Sequence, residues 1–202
     1  MKLLQSTVTA LRAHGFDAYA VEDESAAVTL ALSFLREGES VTWGGSETIR
    51  KVGLTEAVKQ AGLRVYDRDG VPPAERATFM REHYFSDWFF MSANAVTQTG
   101  ELLNMDGIGN RVASLTFGPK NVLVLVGRNK IVGDVEEGIL RVRNLAAPKN
   151  AQRFDIKTPC RQTGECADCL CPDTICASLV RTRFCRPLGR IRIILIDRDL
   201  GY

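Results

Sequence analysis

The cysteines of this 202-residue sequence are placed unevenly, and their spacing is typical of metal ligands. None occurs before Cys160, and all six lie between Cys160 and Cys185. The only histidines, His14 and His83, are distant in sequence, so a local site must use sulfur alone. Four thiolates suit either a four-iron, four-sulfur (4Fe-4S) cluster or a structural zinc ion. The order is Cys160-x5-Cys166-x2-Cys169-x-Cys171-x4-Cys176-x8-Cys185.

The spacing favours four of these cysteines as ligands of one centre. Cys166-Ala-Asp-Cys169 is a C-x-x-C pair, which brings two thiolates to one metal. Cys171 is only two residues from Cys169, so an extended backbone would point their side chains in opposite directions. The chain has room to return at Cys176, and Gly164 can fold back the residues before it. We predict the ligands Cys160, Cys166, Cys169 and Cys176, with Cys171 and Cys185 as extras.

Other chemistry for the same cysteines stays open at this point. Reduced or redox-active thiols are one alternative, and disulfides, which require an oxidising compartment, are another. Irregular spacing and surplus cysteines favour an iron–sulfur cluster slightly over zinc. Residues 157–192 hold seven cations against three acids, and we expect this positive charge to lower the thiol pKa values.

A first polar loop joins a predicted strand to a predicted helix at Gly44, Gly45 and Ser46. Glycines let a phosphate or carboxylate approach the backbone, and the first amides of the helix can donate to it. The same residues also fit an ordinary turn in which Ser46 caps the helix. The motif is short, so both interpretations stay open.

Further polar residues follow other apolar strands. The carboxyl ends of strands are where open α/β sheets build their binding sites, so we expect these loops to converge on one pocket. Glu101 and Asp106 are the nearby carboxylates and hence the candidate catalytic residues. The predicted ligand-binding residues are Gly44, Gly45, Ser46, Asn94, Thr97, Asp106, Gly107, Asn110 and Lys130.

The elements that must position these residues alternate between strand and helix, which predicts an α/β fold with a mostly parallel sheet. NVLVLVG (121–127) is a continuous apolar strand, as in a sheet covered on both faces. Residues 190–197 form the last predicted strand, and 101–105 pairs with 87–93 or follows a turn. We expect one domain, 1–202, with a cysteine-rich insertion at 158–187 before the last strand.

Composition excludes several classes of protein. A net charge of +2 is too small to indicate nucleic-acid binding. No stretch approaches 18 consecutive apolar residues, so no membrane span is predicted. Polar residues interrupt the N-terminal segment where a signal peptide needs an apolar run. The expected location is the cytoplasm.

Several of these stretches resemble the LUD domain of lactate-utilisation proteins. They are WGGSETIRKVGL, SANAVTQTGELLNMDGIGNRVASLTFGPKNVLVLVGRNKIV and RVRNLAAPKNAQR. PCRQTGECADCLCPDTIC and GRIRIILIDRDLGY resemble the cysteine-bearing C-terminus of the short members. Together they cover most of the chain after Trp43. The predicted cysteine ligands also match the pattern of this family.

The resemblance implies the three-layer fold shared by ribose-5-phosphate isomerase, glucosamine-6-phosphate deaminase and CoA transferases. The loops from Asn94 to Asn110 are similar, more distantly, to those of methylthioribose-phosphate isomerases. Asn94 stands where that series has a catalytic Asp, and an amide cannot serve as a general base at neutral pH. In the family, the domain is associated with oxidation of lactate to pyruvate beside iron–sulfur oxidoreductase subunits.

Three functions follow as hypotheses. The first is an accessory redox protein whose 4Fe-4S cluster transfers electrons while the pocket binds a small anionic ligand or a partner. The second is an enzyme of sugar phosphates or acyl-CoA, which requires a carboxylate at the centre of the pocket. The third is a zinc-stabilised binding module.

Overall fold

The protein, described here for residues 1–202 by a computed structural model, is built on a six-stranded parallel sheet. All neighbouring strands pair in parallel, which confirms the predicted α/β class. Across the sheet the order is β1 (Asp17–Val21), β10 (Ile191–Ile196), β7 (Asn121–Gly127), β4 (Trp88–Met91), β2 (Ser40–Trp43) and β3 (Arg64–Tyr66).

Both faces of this sheet are covered, because its central strands carry apolar side chains on both faces. In β7, Val122 and Val124 pack into one core cluster, whereas Leu123 and Leu125 pack into the other. Strand β10 divides in the same way and lies between β1 and β7, so the predicted final strand is confirmed as part of the sheet.

Helices flank the sheet on both sides. Helix α1 contributes to the first core cluster, and helices α2, α3 and α4 contribute to the second. The helices are α1 (Lys2–Ala13), α2 (Glu24–Ser33), α3 (Glu47–Val52), α4 (Leu54–Lys59), α5 (Arg76–Glu82), α6 (Asn110–Thr116), α7 (Val135–Arg141), α8 (Ala147–Ala151) and α9 (Pro159–Thr163). A π-helical turn, Val142–Ala146, joins α7 to α8. None of these helices has the length and apolar character needed to cross a membrane.

A second, four-stranded sheet packs beside α1, where Val96 and Leu102 join the first core cluster. Its order is β8 (Ile131–Val132), β5 (Ala95–Thr97), β6 (Leu102–Asp106) and β9 (Ser178–Thr182). Strand β6 is antiparallel to both of its neighbours.

This second sheet decides between two alternatives and corrects one expectation. Residues 101–105 follow a turn, as one of the two alternatives predicts, and they do not pair with the strand at 87–93, because β6 pairs with β5 and with β9 instead. The cysteine-rich residues 158–187 are also more than an insertion, since β9 lies inside them and Cys185 is fully buried in the first core cluster. Strand pairing depends on contacts between residues distant in sequence, which a local pattern does not encode.

Candidate functional site

A cavity of about 370 Å³ opens at the carboxyl end of the parallel sheet. Its walls come from the loops that follow β2, β3, β4 and β7, together with the loop after β6. The predicted convergence is confirmed, since these residues are distant in sequence and all line the cavity. They are Gly45, Ser46, Asn94, Asp106, Gly107, Asn110 and Lys130.

Two of the predicted ligand-binding residues do not line the cavity. Gly44 is buried against Phe89 and Arg111, and a Cβ atom there would lie 3.3 Å from the Phe89 ring. Thr97 is fully buried in β5, where its hydroxyl accepts a hydrogen bond from the Glu101 amide at 3.0 Å. Both residues support the loops and do not reach the cavity.

Arg111 occupies the floor of the cavity, and every end of its guanidinium has a partner. Nη2 donates to Asn94 Oδ1 at 2.8 Å, and Nη1 donates to Asn104 Oδ1 at 2.5 Å. Two main-chain carbonyls, of Ser92 and Met105, accept further bonds. Burial lowers the pKa of Arg111, and the Asp106 carboxylate opposes that effect.

Asn94 and Asp106 are committed to this same network. Asn94 Oδ1 also accepts from the Met105 amide at 2.8 Å, so the amide group is held as an acceptor. The Asp106 carboxylate accepts from the amides of Gly109 and Val112 at 3.1 and 3.2 Å, which stabilises the start of α6. These contacts give Asp106 a structural role at the cavity wall.

Glu101, the other candidate catalytic carboxylate, lies outside the cavity. It is buried at the start of β6, and Arg181 of the neighbouring strand β9 binds it with two nitrogens. Arg183 lies 3.7 Å from the same carboxylate. A carboxylate fixed by two arginines joins the strands of the second sheet and is not available to the cavity.

Lys130 is a buried lysine that has only neutral partners. Its ammonium donates to Thr48 Oγ1 at 2.9 Å, Ser92 Oγ at 3.0 Å and the Ala93 carbonyl at 3.3 Å. Burial, and then the charges of Arg141 and Arg111, lowers the pKa of Lys130 to about 7. Because no carboxylate compensates its charge, the amine can lose its proton close to neutral pH.

Sequence reasoning missed a group of arginines at the mouth of the cavity: Arg50, Arg68, Arg76 and Arg153. Arg68 lies two residues after the end of β3 at Tyr66, so the rule that strand ends form sites could have found it. With Arg111 and Lys130 the lining includes six cations, against the carboxylates of Glu47, Asp69 and Asp106. The cavity therefore attracts anions.

The cysteine-rich residues form a second candidate site. Cys160, Cys166 and Cys169 all lie close enough to Cys176 to act on its pKa, and no cysteine forms a disulfide. The predicted ligands are therefore neighbours in space. No three Cys, His, Asp or Glu side chains are arranged as a ligand shell for a metal ion, so the structure does not establish a metal site.

The expectation that surrounding cations lower the thiol pKa values is wrong for two cysteines. Burial, and then the neighbouring thiols, raises the pKa of Cys176 to about 11. Burial, and then the thiol of Cys171, raises the pKa of Cys169. The nearby cations have other partners: Arg181 binds Glu101, and Arg190 donates to the carbonyls of residues 114, 115 and 119.

The two remaining cysteines differ in their surroundings. Cys171 lies close enough to Cys169 to raise the pKa of that thiol, and so belongs to the same group of thiols. Cys185 lies in the apolar core, where its sulfur donates to the Pro187 carbonyl and accepts from the Ile191 amide. Cys185 is therefore a structural residue of the core and is separate from the group of thiols.

The cysteine-rich residues and the cavity share a wall. Ile175, directly before Cys176, lines the cavity. Its backbone packs so closely on Gly107 that a Cβ atom at position 107 would lie 3.2 Å from the Ile175 Cα atom. A side chain at position 107 would push the two segments apart, which is the physical reason for glycine there.

Comparisons with known proteins give one similar fold and one matching family. No curated protein matches the chain. A DUF162 family protein from Deinococcus radiodurans has a similar fold, with a TM-score of 0.56, 14% identity and 96% of each chain covered. Ribose 5 phosphate isomerase A from Neisseria gonorrhoeae aligns over 66% of each chain at 13% identity, with a TM-score of 0.37. The family model of the LUD domain matches residues 4–196, and the chain therefore belongs to the LUD domain family.

Proposed function

We propose that this protein is an accessory iron–sulfur protein of lactate utilisation, which binds a small anionic ligand in its cationic cavity. Membership of the LUD domain family supports the link to lactate in general. The observation that carries the proposal is the shared wall, because Ile175 contacts the cavity while the next residue, Cys176, belongs to the thiol group. The cavity and the thiol group are therefore adjacent, one residue apart in the chain.

The donor set fits an iron–sulfur cluster in chemical type. Four free thiols lie in one neighbourhood, and the guanidinium of Arg143 lies close to Cys166, which favours an anionic centre there. Residues Cys160, Cys166, Cys169 and Cys176 would hold the cluster. When bound, such a cluster supplies one-electron transfer, and iron–sulfur oxidoreductase subunits are the partners that we propose.

The cofactor is tested by purifying the protein without oxygen. We expect iron and acid-labile sulfide, with a visible absorption band that bleaches on addition of dithionite. A protein that contains zinc and no iron would contradict the proposal and would favour a zinc-stabilised binding module.

The ligands are tested by single substitutions of serine for cysteine. We expect loss of most of the iron from the Cys160, Cys166, Cys169 and Cys176 variants, since each removes one of four thiolates. Cys171→Ser is the matched control, because Cys171 belongs to the same thiol group and is not a predicted ligand. If Cys171→Ser empties the site while Cys176→Ser retains its iron, the ligand assignment is wrong.

An enzyme of sugar phosphates or acyl-CoA has less support. That function requires a free carboxylate at the centre of the cavity, whereas Glu101 is bound by Arg181 outside it. Asp106 does line the cavity, but its oxygens are held by the amides at the start of α6. Turnover that survives Asp106→Asn would exclude this residue as its general base.

A further inference from the structure

Arg68 is a half-buried cation in the cavity lining, and it has no partner for its guanidinium. Its Nε atom is buried from solvent and makes no hydrogen bond. No carboxylate forms a salt bridge with it, although burial lowers its pKa. A buried polar group left unsatisfied costs about 1–3 kcal/mol, or more when the group is charged. The unsatisfied group lies at the mouth of the cavity, where a ligand that accepts its hydrogen bond would remove this cost in free energy.

The other arginines of the mouth already have partners. Arg50 and Arg153 both contact the Glu47 carboxylate, with Arg153 at 3.2 Å. Arg76 donates to the main-chain carbonyls of Val71 and Asp69. The four arginines face the two carboxylates of Glu47 and Asp69, which leaves a net charge of plus two around Arg68.

The backbone holds this arrangement in place. Arg68 begins a 3₁₀ turn, Arg68–Gly70, and the Asp67 carboxylate caps that turn by accepting from the Asp69 amide at 2.8 Å. Arg68 Nη1 lies over Gly45, where a Cβ atom would approach to 2.7 Å. Glycine at position 45 therefore leaves room for the guanidinium. The arginine side chain thus lies next to the exposed backbone of Gly45.

We propose that Arg68 anchors a phosphoryl group, so that the ligand of the cavity is a small phosphorylated molecule. This inference deepens the proposed function, because it assigns a chemical class to the anion of that cavity. A phosphate monoester carries close to two negative charges at neutral pH, matching the local charge of plus two. Its oxygens accept hydrogen bonds from the paired N–H groups of an arginine. Lactate is a monoanion and would leave one positive charge uncompensated.

Isothermal titration of the intact protein tests this subsite. The probes are inorganic phosphate, glycerol 3-phosphate and L-lactate, at low ionic strength. We expect both phosphate compounds to bind at least about tenfold more tightly than lactate, and Arg68→Gln to weaken both by about tenfold or more. Tighter binding of glycerol 3-phosphate indicates an ester as the ligand, and tighter binding of inorganic phosphate indicates a free anion. Both results support the phosphoryl subsite.

The matched control is Arg36→Gln, which removes an exposed arginine before β2, at the opposite edge of the sheet. It should bind phosphate like the wild type. The proposal is overturned if lactate binds as tightly as the phosphate compounds, or if folded Arg68→Gln binds phosphate as well as the wild type does. Iron content, measured on the same samples, tests the proposed cluster separately, since neither substitution touches a cysteine.

Discussion

The arginine on the floor of the cavity and the arginine at its mouth differ in how fully their hydrogen bonds are satisfied. On the floor, the side chain of Arg111 is 15% exposed, and two asparagine oxygens and two carbonyls accept its hydrogen bonds. At the mouth, Arg68 Nε is also buried, yet no acceptor meets it. Lys130 lies between these extremes, because it is fully hydrogen-bonded but only to neutral oxygens.

This difference separates side chains that stabilise the fold from side chains that are available to bind a ligand. A buried charge with a complete set of partners stabilises the structure, and removing it leaves those partners unsatisfied. An unsatisfied charge contributes no such contacts, so its presence calls for a partner from outside the chain. Substitutions on the floor should therefore affect stability, and those at the mouth should affect binding.

The largest effect is expected for Arg111→Met. The substitution removes the hydrogen bonds that Asn94, Asn104 and two carbonyls accept from the guanidinium, so we expect a loss of about 3–5 kcal/mol in the free energy of unfolding. Urea denaturation measures this change, with Arg36→Met as a surface control that should stay within about 0.5 kcal/mol of the wild type. A loss below about 1 kcal/mol would mean that the floor network is not structural.

A smaller, pH-dependent effect is expected for Lys130→Met. The pKa of Lys130 falls from 10.5 to about 7 on folding, so between these values the unfolded chain holds the proton more tightly. The stability that Lys130 contributes is therefore lowest below pH 7, and it rises with pH through this window.

Denaturation of both proteins at pH 7 and pH 9 measures that slope. We expect the wild type to gain about 2 kcal/mol relative to Lys130→Met between these two pH values. Equal shifts in both proteins would show that the amine keeps an ordinary pKa.

Ser46→Ala separates the two interpretations of the loop at 44–46. Its hydroxyl accepts a hydrogen bond from the Ile49 amide at 3.3 Å, as a helix N-cap does. We expect a loss of about 0.5–1 kcal/mol in the free energy of unfolding, with phosphate affinity changed less than about threefold. A large loss of affinity without a change in stability would assign the hydroxyl to the ligand.

The smallest loss of stability is expected for Arg68→Gln. Because the guanidinium makes no hydrogen bond and no salt bridge, its removal should lower the free energy of unfolding by no more than about 0.5 kcal/mol, and relief of the unsatisfied Nε should raise it. Thermal unfolding without ligand measures this change. A loss of several kcal/mol would show that Arg68 holds the fold together, and the contrast between floor and mouth would then fail.

Local patterns in the sequence were enough to predict the parallel sheet and the edge that carries the cavity. Alternating apolar residues in strands such as NVLVLVG place the core, and polar residues after each strand place the loops. Gly45, Ser46 and Lys130 converge as predicted, because β2 and β7 are parallel and end at one edge, whereas Asp106 reaches the cavity from β6 of the second sheet.

Only the tertiary structure decided which polar residues are available to a ligand. Glu101 and Asp106 are carboxylates at the two ends of β6, yet Arg181 binds the first and the start of α6 binds the second. Arg68 is one of many arginines in the sequence, and its missing partner appears only once the fold is known. A hydrogen bond joins atoms that folding brings together, so no local pattern records which side chains will be left without one.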